Sequence, residues 1–147
     1  MAEEDTVQEI IHELGQLMQF WGLSAIHGEL WGILYFYGKH TQEQLKQRVK
    51  CGTSTISQAL TTLHRLGMVK IAGKNGRTKI YEAETSAHMM TRKKLENMLR
   101  FQVHPMTEFL NASMPSLSTK ETKLKVKALQ QQYTGLGTLI ETFLRTK

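Results

Sequence analysis

Residues 68 to 83 change the rhythm of the chain. "MVKIA" and "RTKIYEA" are short β-rich runs joined by "GKNG", and together they read as a hairpin. Upstream of it the apolar residues keep helical spacing. Residues 6 to 21 place Val7, Ile10, Ile11, Leu14, Leu17 and Met18 at that spacing, with Asp5 or Thr6 as cap and Gly22 past the end. A second helix starts near Ser24 and runs through "AIHGELWGILYFY" to Gly38, apolar nearly all round as a buried central helix is. A short third opens at Thr41, whose hydroxyl can cap backbone amides while Gln44 reaches back in a capping box, and it ends near Lys50. The fourth, "STISQALTTLHRLG", is bounded by Thr53 or Ser54 as cap and by Gly67.

Three helices followed by a two-stranded hairpin is the order of a winged helix-turn-helix. The outward face of the fourth helix fits that assignment. At 100° per residue Ile56, Ala59, Leu60, Leu63 and Leu66 fall on one side. Ser54, Gln58, Thr61 and Arg65 fall opposite, flanked by Ser57 and Thr62, with Thr55 in the first turn. Short hydroxyls, an amide and a guanidinium can donate to phosphates or read base edges, Gln favouring adenine and Arg guanine. The hairpin adds Lys74, Asn75, Arg77 and Lys79, placed as a wing that grips neighbouring phosphates would be. Ser54, Thr55, Ser57, Gln58, Thr61, Thr62 and Arg65 are therefore the candidate recognition-helix contacts. The bland alternative for either group is an ordinary solvated face.

Charge is distributed to match. Residues 1 to 38 hold six acids and neither Lys nor Arg. Residues 39 to 81 hold nine bases against the single acid Glu43, a local charge of +8 where the whole chain carries +6. A concentrated positive field suits a polyanionic partner. With 147 residues the chain can bury about 70% of its unfolded surface and needs no disulfide staples. One cysteine, Cys51, excludes an internal disulfide framework and fits a reducing compartment. "MAEEDTVQEI" is acidic where a signal peptide would be basic, and no long apolar run suggests a membrane span, so a cytoplasmic protein is expected.

The stretch "GLSAIHGELWGILYFYGKHTQEQLKQRVKCGTSTISQALTTLHRLGMVKIAGKNGRTKIYEAE" resembles the GbsR-type branch of the MarR-like winged-helix transcriptional regulators. The resemblance is carried by Gly22, Gly28 and Gly32 with the "ILYF" run, by "STISQAL", and by Gly76-Arg77 followed by Tyr81. It departs at Ser54-Thr55, where many relatives have a Ser-Lys pair. It implies a homodimeric DNA-binding repressor or activator, some relatives of which answer to choline or glycine betaine. In that light Trp21, Trp31 and Tyr35 become a candidate effector pocket, an aromatic cage for a quaternary ammonium compound. Trp31 and Tyr35 are equally spaced as core residues of a buried helix.

The C-terminal third points to self-association. From Ser118, which forms an expected capping box with Glu121, a helix carries Val126, Leu129, Tyr133, Leu136, Ile140 and Phe143 at alternating spacings of three and four. That is the seam of a helix pair and the candidate dimerisation surface; the alternative is that the stripe docks on its own domain. Gly135 and Gly137 mark a kink or a close helix crossing. Residues 87 to 113 form a preceding helix or helix pair interrupted at Pro105, with "NASMPSLS" as linker.

The expected class is mainly α with a small β-hairpin wing: a winged helix-turn-helix domain plus N- and C-terminal dimerisation helices. The expected divisions are 1–22 for an N-terminal dimerisation helix, 23–85 for the DNA-binding domain and 86–147 for the C-terminal dimerisation region. The six histidines have no i, i+4 pairing and one cysteine completes no sulfur-rich site, so no metal is expected. No cofactor is implied. Without a Gly-rich phosphate loop, a nucleophile with a positioned base or a close carboxylate pair, an enzyme is not expected. The function expected is a homodimeric, double-stranded DNA-binding transcriptional regulator on an inverted-repeat operator, with repression as the expected sign. The alternative is a winged-helix module that binds a protein partner and never reads DNA.

Overall fold

The computed structural model describes residues 2–146. The described chain divides into two compact units, one extending to Met90 and one starting at Thr91. The first contains helices α1 (Ala2–Phe20), α2 (Ala25–Tyr37), α3 (Gln42–Arg48) and α4 (Thr53–Arg65), with strands β1 (His40–Thr41), β2 (Val69–Asn75) and β3 (Thr78–Ala83). α5 (Ala87–Met98) leads into the second, which continues through a π-helical turn (Leu99–Val103), α6 (His104–Ser113), a 3₁₀ turn (Met114–Ser116) and α7 (Lys120–Arg145).

In the first unit, apolar residues from α1 to α4, β2 and β3 converge. Ile11 of α1, Leu30, Ile33 and Leu34 of α2, Leu45 of α3, and Ile56, Ala59, Leu60 and Leu63 of α4 are buried with Val69, Tyr81 and Ala83 of the sheet. α1 starts at Ala2 rather than at a cap on Asp5 or Thr6, and both of those residues lie inside it. It lies against α2 at closely approaching glycines. α2 is buried on two sides, as expected of a central helix: Leu30, Ile33 and Leu34 face the core and Gly28 and Gly32 pack on α1, while Tyr35 and Phe36 between them are exposed. Trp31 anchors α2 to the end of β3 by donating its Nε1 hydrogen to the Glu84 carbonyl at 3.2 Å.

The sheet has three strands where the sequence showed two. His40 and Thr41 add to β3 opposite Tyr81 and Ile80, giving the antiparallel order β1, β3, β2. A two-residue strand is too short to leave a periodic signal. The hairpin is also longer than expected, because "GKNG" is mostly strand: Lys74 pairs with Lys79 and Asn75 with Thr78. Only Gly76 and Arg77 turn. Gly76 takes φ +65° at the first of the two positions, the glycine that a type II′ turn requires. An irregularity between Ile71 and Gly73 shifts the register on the way.

In the second unit Val103, Leu110 and Ile140 are buried together with Gly137. The interruption expected at Pro105 falls just before it, as a π turn. Proline has no N–H for the carbonyl one turn back and its ring crowds that carbonyl. Winding to i+5 accommodates this, and the His104 N–H bonds to the Leu99 carbonyl. The cap of α7 is Thr119 rather than the expected Ser118 with Glu121: the Thr119 hydroxyl accepts from the Thr122 N–H at 3.3 Å and donates to Thr122 Oγ1 at 2.8 Å. Of the two glycines, Gly137 is at the close crossing, since a β-carbon there would stand 3.3 Å from Val103 Cγ1; Gly135 has open space.

Candidate nucleic-acid interface

α3 and α4 form the helix-turn-helix. The capping box on α3 is complete: the Gln44 N–H bonds to the Thr41 hydroxyl at 3.2 Å, and the Gln44 side chain accepts from the Thr41 N–H at 2.9 Å. α3 is then fixed to the start of α4, where the Gln42 amide donates to the Thr53 carbonyl at 3.3 Å. α4 begins one residue earlier than a Thr53 cap would set it, and two earlier than a Ser54 cap would, with Gly52 as N-cap and no side-chain cap. It ends in a Schellman arrangement. The Gly67 N–H bonds to the His64 carbonyl and the Met68 N–H to the Leu63 carbonyl, with Gly67 at φ +76°.

This packing turns the candidate contacts outward. Ser54, Thr55, Ser57, Gln58, Thr61 and Arg65 are exposed, whereas Thr62 is half-buried at the margin. Leu66, expected on the packed side, is only half-buried because it is the C-cap, where the helix leaves the core. The Thr61 hydroxyl donates to the Ser57 carbonyl at 3.0 Å, leaving its methyl group and acceptor lone pairs for a partner.

Lys74, Asn75, Arg77 and Lys79 are all exposed on the wing, with Arg77 in its turn. Lys74 and Lys79 stand directly opposite each other in the ladder. Like charges at opposed positions destabilise a hairpin. Nearer the base the same two strands pair Lys70 with Glu82 at 3.8 Å. The tip lacks such neutralisation: from Gln44 to Tyr81 the sequence contains neither Asp nor Glu.

The aromatic residues take another arrangement than a cage. Trp31 stacks on Tyr35, with ring centroids 5.2 Å apart and planes 16° from parallel, so the faces between which a cation would sit are closed on each other. Trp21 meets Phe20 edge to face at 5.4 Å. Cys51 is half-buried against the core as a free thiol. The α7 stripe is divided: Ile140 is buried within its own unit, Val126, Tyr133 and Phe143 are half-buried, and Leu129 and Leu136 are exposed with neighbouring Leu139. Among the described residues no helix is long and apolar enough to cross a membrane, and no three His, Cys, Asp or Glu side chains gather as a metal site would need.

One contact had no sequence signal. Arg48, the last residue of α3, donates its Nε hydrogen to His40 Nε2 at 2.8 Å and lies over the Tyr37 ring, 4.3 Å from its centroid. Residues eight apart on a strand and a helix share no period that would flag the pair.

No protein-family model and no curated protein sequence matches the chain. Among solved structures it is similar to one described as "Crystal Structure of a transcriptional regulator", with a TM-score of 0.74 over 95% of each chain and 13% sequence identity. At that identity the likeness is one of fold, and the fold is the mainly helical winged-helix arrangement with its small three-stranded antiparallel sheet.

Proposed function

We propose that the chain is a sequence-specific double-stranded DNA-binding transcriptional regulator of the MarR-like, GbsR-type kind, acting as a repressor. The observation that carries this reading is the Lys74–Lys79 pair: two lysines held opposite each other at the tip of the wing, where no acid stands beside them. Such a pair weakens the isolated hairpin and is compensated when a polyanion lies across it. Phosphate contacts from this wing supply affinity that falls with salt. The acid-free, outward face of α4, led by Gln58 and Arg65, supplies the base contacts that specify sequence.

The active form proposed is a homodimer. Exposed apolar side chains grouped on α1 (Ile10, Leu17 and Phe20) and on α7 (Leu129, Leu136 and Leu139) support it, since apolar patches, unlike single exposed residues, mark interaction sites. In that dimer the interlocked terminal helices set two recognition helices about one DNA turn apart, roughly 34–36 Å. Footprinting the purified protein on the DNA upstream of its own coding region tests both parts. Protection of an inverted repeat is the expected result. No protection at low salt would replace this reading with that of a winged-helix module for a protein partner.

A further inference from the structure

A buried titratable group that the proposed DNA-reading surface leaves unused is His40. It is 6% exposed, and both ring nitrogens are engaged: Nδ1 lies 2.8 Å from the Gly38 carbonyl oxygen and Nε2 lies 2.8 Å from Arg48 Nε. A carbonyl only accepts and a guanidinium N–H only donates. The two contacts therefore select the neutral imidazole with its hydrogen on Nδ1 and its lone pair on Nε2.

The position of this bond gives it leverage. His40 belongs to β1 and pairs with Tyr81 of β3, the strand that continues into the wing. The next residue, Thr41, caps α3, and Arg48 ends it. One hydrogen bond thus ties the far end of the first helix of the helix-turn-helix back to the strand that precedes its start. The charged and titratable groups around it are few. α3 contributes Arg48, with Glu43 and Lys46 exposed on its outer side; α2 contributes Tyr37 beneath the guanidinium. β3 contributes Tyr81 opposite, with exposed Lys79 and with Glu82 paired to Lys70, and Lys39 precedes His40 in the chain. Among the described residues no carboxylate hydrogen-bonds to the imidazole to welcome a second proton.

We propose that His40 is a proton switch on the DNA-reading unit: a proton on Nε2 removes the acceptor that Arg48 uses, sets imidazolium against guanidinium, and releases α3 from β1. Acid is therefore the signal. The consequence for DNA rests on the function proposed above. Its sign is distinctive, because protonation of exposed histidines such as His64 on α4 would strengthen attraction to phosphate.

Two substitutions separate the steps. His40→Gln keeps an amide oxygen for Arg48 but takes no proton; Arg48→Met removes the cation and the latch together. Hydrogen exchange of β1 and α3, corrected for the intrinsic rate, is compared at about pH 7.5 and about pH 5.5 beside binding of mixed-sequence duplex DNA at fixed salt. Wild-type protection over residues 40–48 and duplex affinity are each expected to fall about tenfold on acidification, within the usual range of coupling between two sites. His40→Gln should hold both, and Arg48→Met should show the acid pattern already at neutral pH. Unchanged wild-type protection, or an equal fall in His40→Gln, overturns the switch; if that variant does not fold, Arg48→Met retaining neutral-pH protection overturns it. A latch that opens without any change in measurable duplex affinity overturns its regulatory role. A latch that opens in a protein binding no duplex at either pH upholds the switch and removes the DNA-binding function instead.

Discussion

Gly15 of α1 and Gly28 of α2 meet where their helices cross: a β-carbon on Gly28 would overlap the Leu14 carbonyl and stand 2.8 Å from the Gly15 α-carbon. A β-carbon on Gly15 would stand 2.9 Å from the Ala25 carbonyl oxygen. Backbone packed on backbone cannot turn aside as a side chain can. Gly28→Ala is expected to cost about 3 kcal/mol, the upper part of the usual overpacking range. Urea unfolding should show a lower midpoint at unchanged slope. A variant as stable as the parent would mean that the helices do not approach there.

α7 gives the opposite sign. Gly135 is exposed, with nothing within 4 Å of an added β-carbon, so Gly135→Ala gains helix propensity without a clash. It should stabilise the protein by about 1 kcal/mol and raise the thermal midpoint. Gly137→Ala gains the same propensity but must displace Val103 Cγ1 at 3.3 Å, and is expected to melt below Gly135→Ala.

These glycines show where the sequence was legible. Helical spacing of apolar residues reveals α1 and α4, an apolar run α2 and a capping box α3, and the end of α4 is readable because Gly67 stands where an L residue would be strained. The outward face of α4 followed from its inward one, since Ile56, Ala59, Leu60 and Leu63 leave a single orientation. What escaped depends on partners distant in sequence. β1 exists only because Tyr81 and Ile80 pair with it, and Arg48 is held by His40 rather than by any neighbour on its own helix. Pro105 announced a break but not its form, because the π turn answers to Leu99 as well as to the proline. The aromatic stretch fitted both a cage and a packed helix, and only coordinates could show Trp31 lying flat on Tyr35.

The opposed lysines of the wing allow stability and DNA binding to be driven apart. Lys79→Glu places an acid across from Lys74, turning a repulsive cross-strand pair into an attractive one. The gain in stability should be about 0.2–1 kcal/mol. Duplex affinity should fall at the same time and its salt dependence should flatten. Loss of both stability and affinity would show that the wing is held by something other than this pairing.

Tyr81 links the core to alkaline pH. Its burial holds the phenol above the ordinary value of 10.0. Below that value both folded and unfolded chains carry the proton, and the full contribution to stability is present. As pH rises past about 10 the unfolded chain releases its proton first, binds fewer protons than the folded chain, and is favoured. Stability of the parent should therefore decline more steeply above that pH than stability of Tyr81→Phe. Parallel declines in unfolding experiments at graded pH would contradict a buried phenol.

Recognition helix and wing should fail in different ways. Arg77 sits in the turn of the wing and Gln58 in the middle of the exposed face of α4. Under the proposed function Arg77→Ala removes a charge placed to meet phosphate, so binding should weaken by a similar factor on every duplex and the salt slope should drop by about one. Gln58→Ala removes an amide able to pair with an adenine edge. It should cost about 1–3 kcal/mol against the operator, with the preference lost at one base pair and the salt slope kept. Binding titrations across a set of single-base operator variants, each at several salt concentrations, distinguish the two patterns. If Gln58→Ala weakened all variants alike, the outward face of α4 would be gripping backbone, and sequence would have to be read elsewhere.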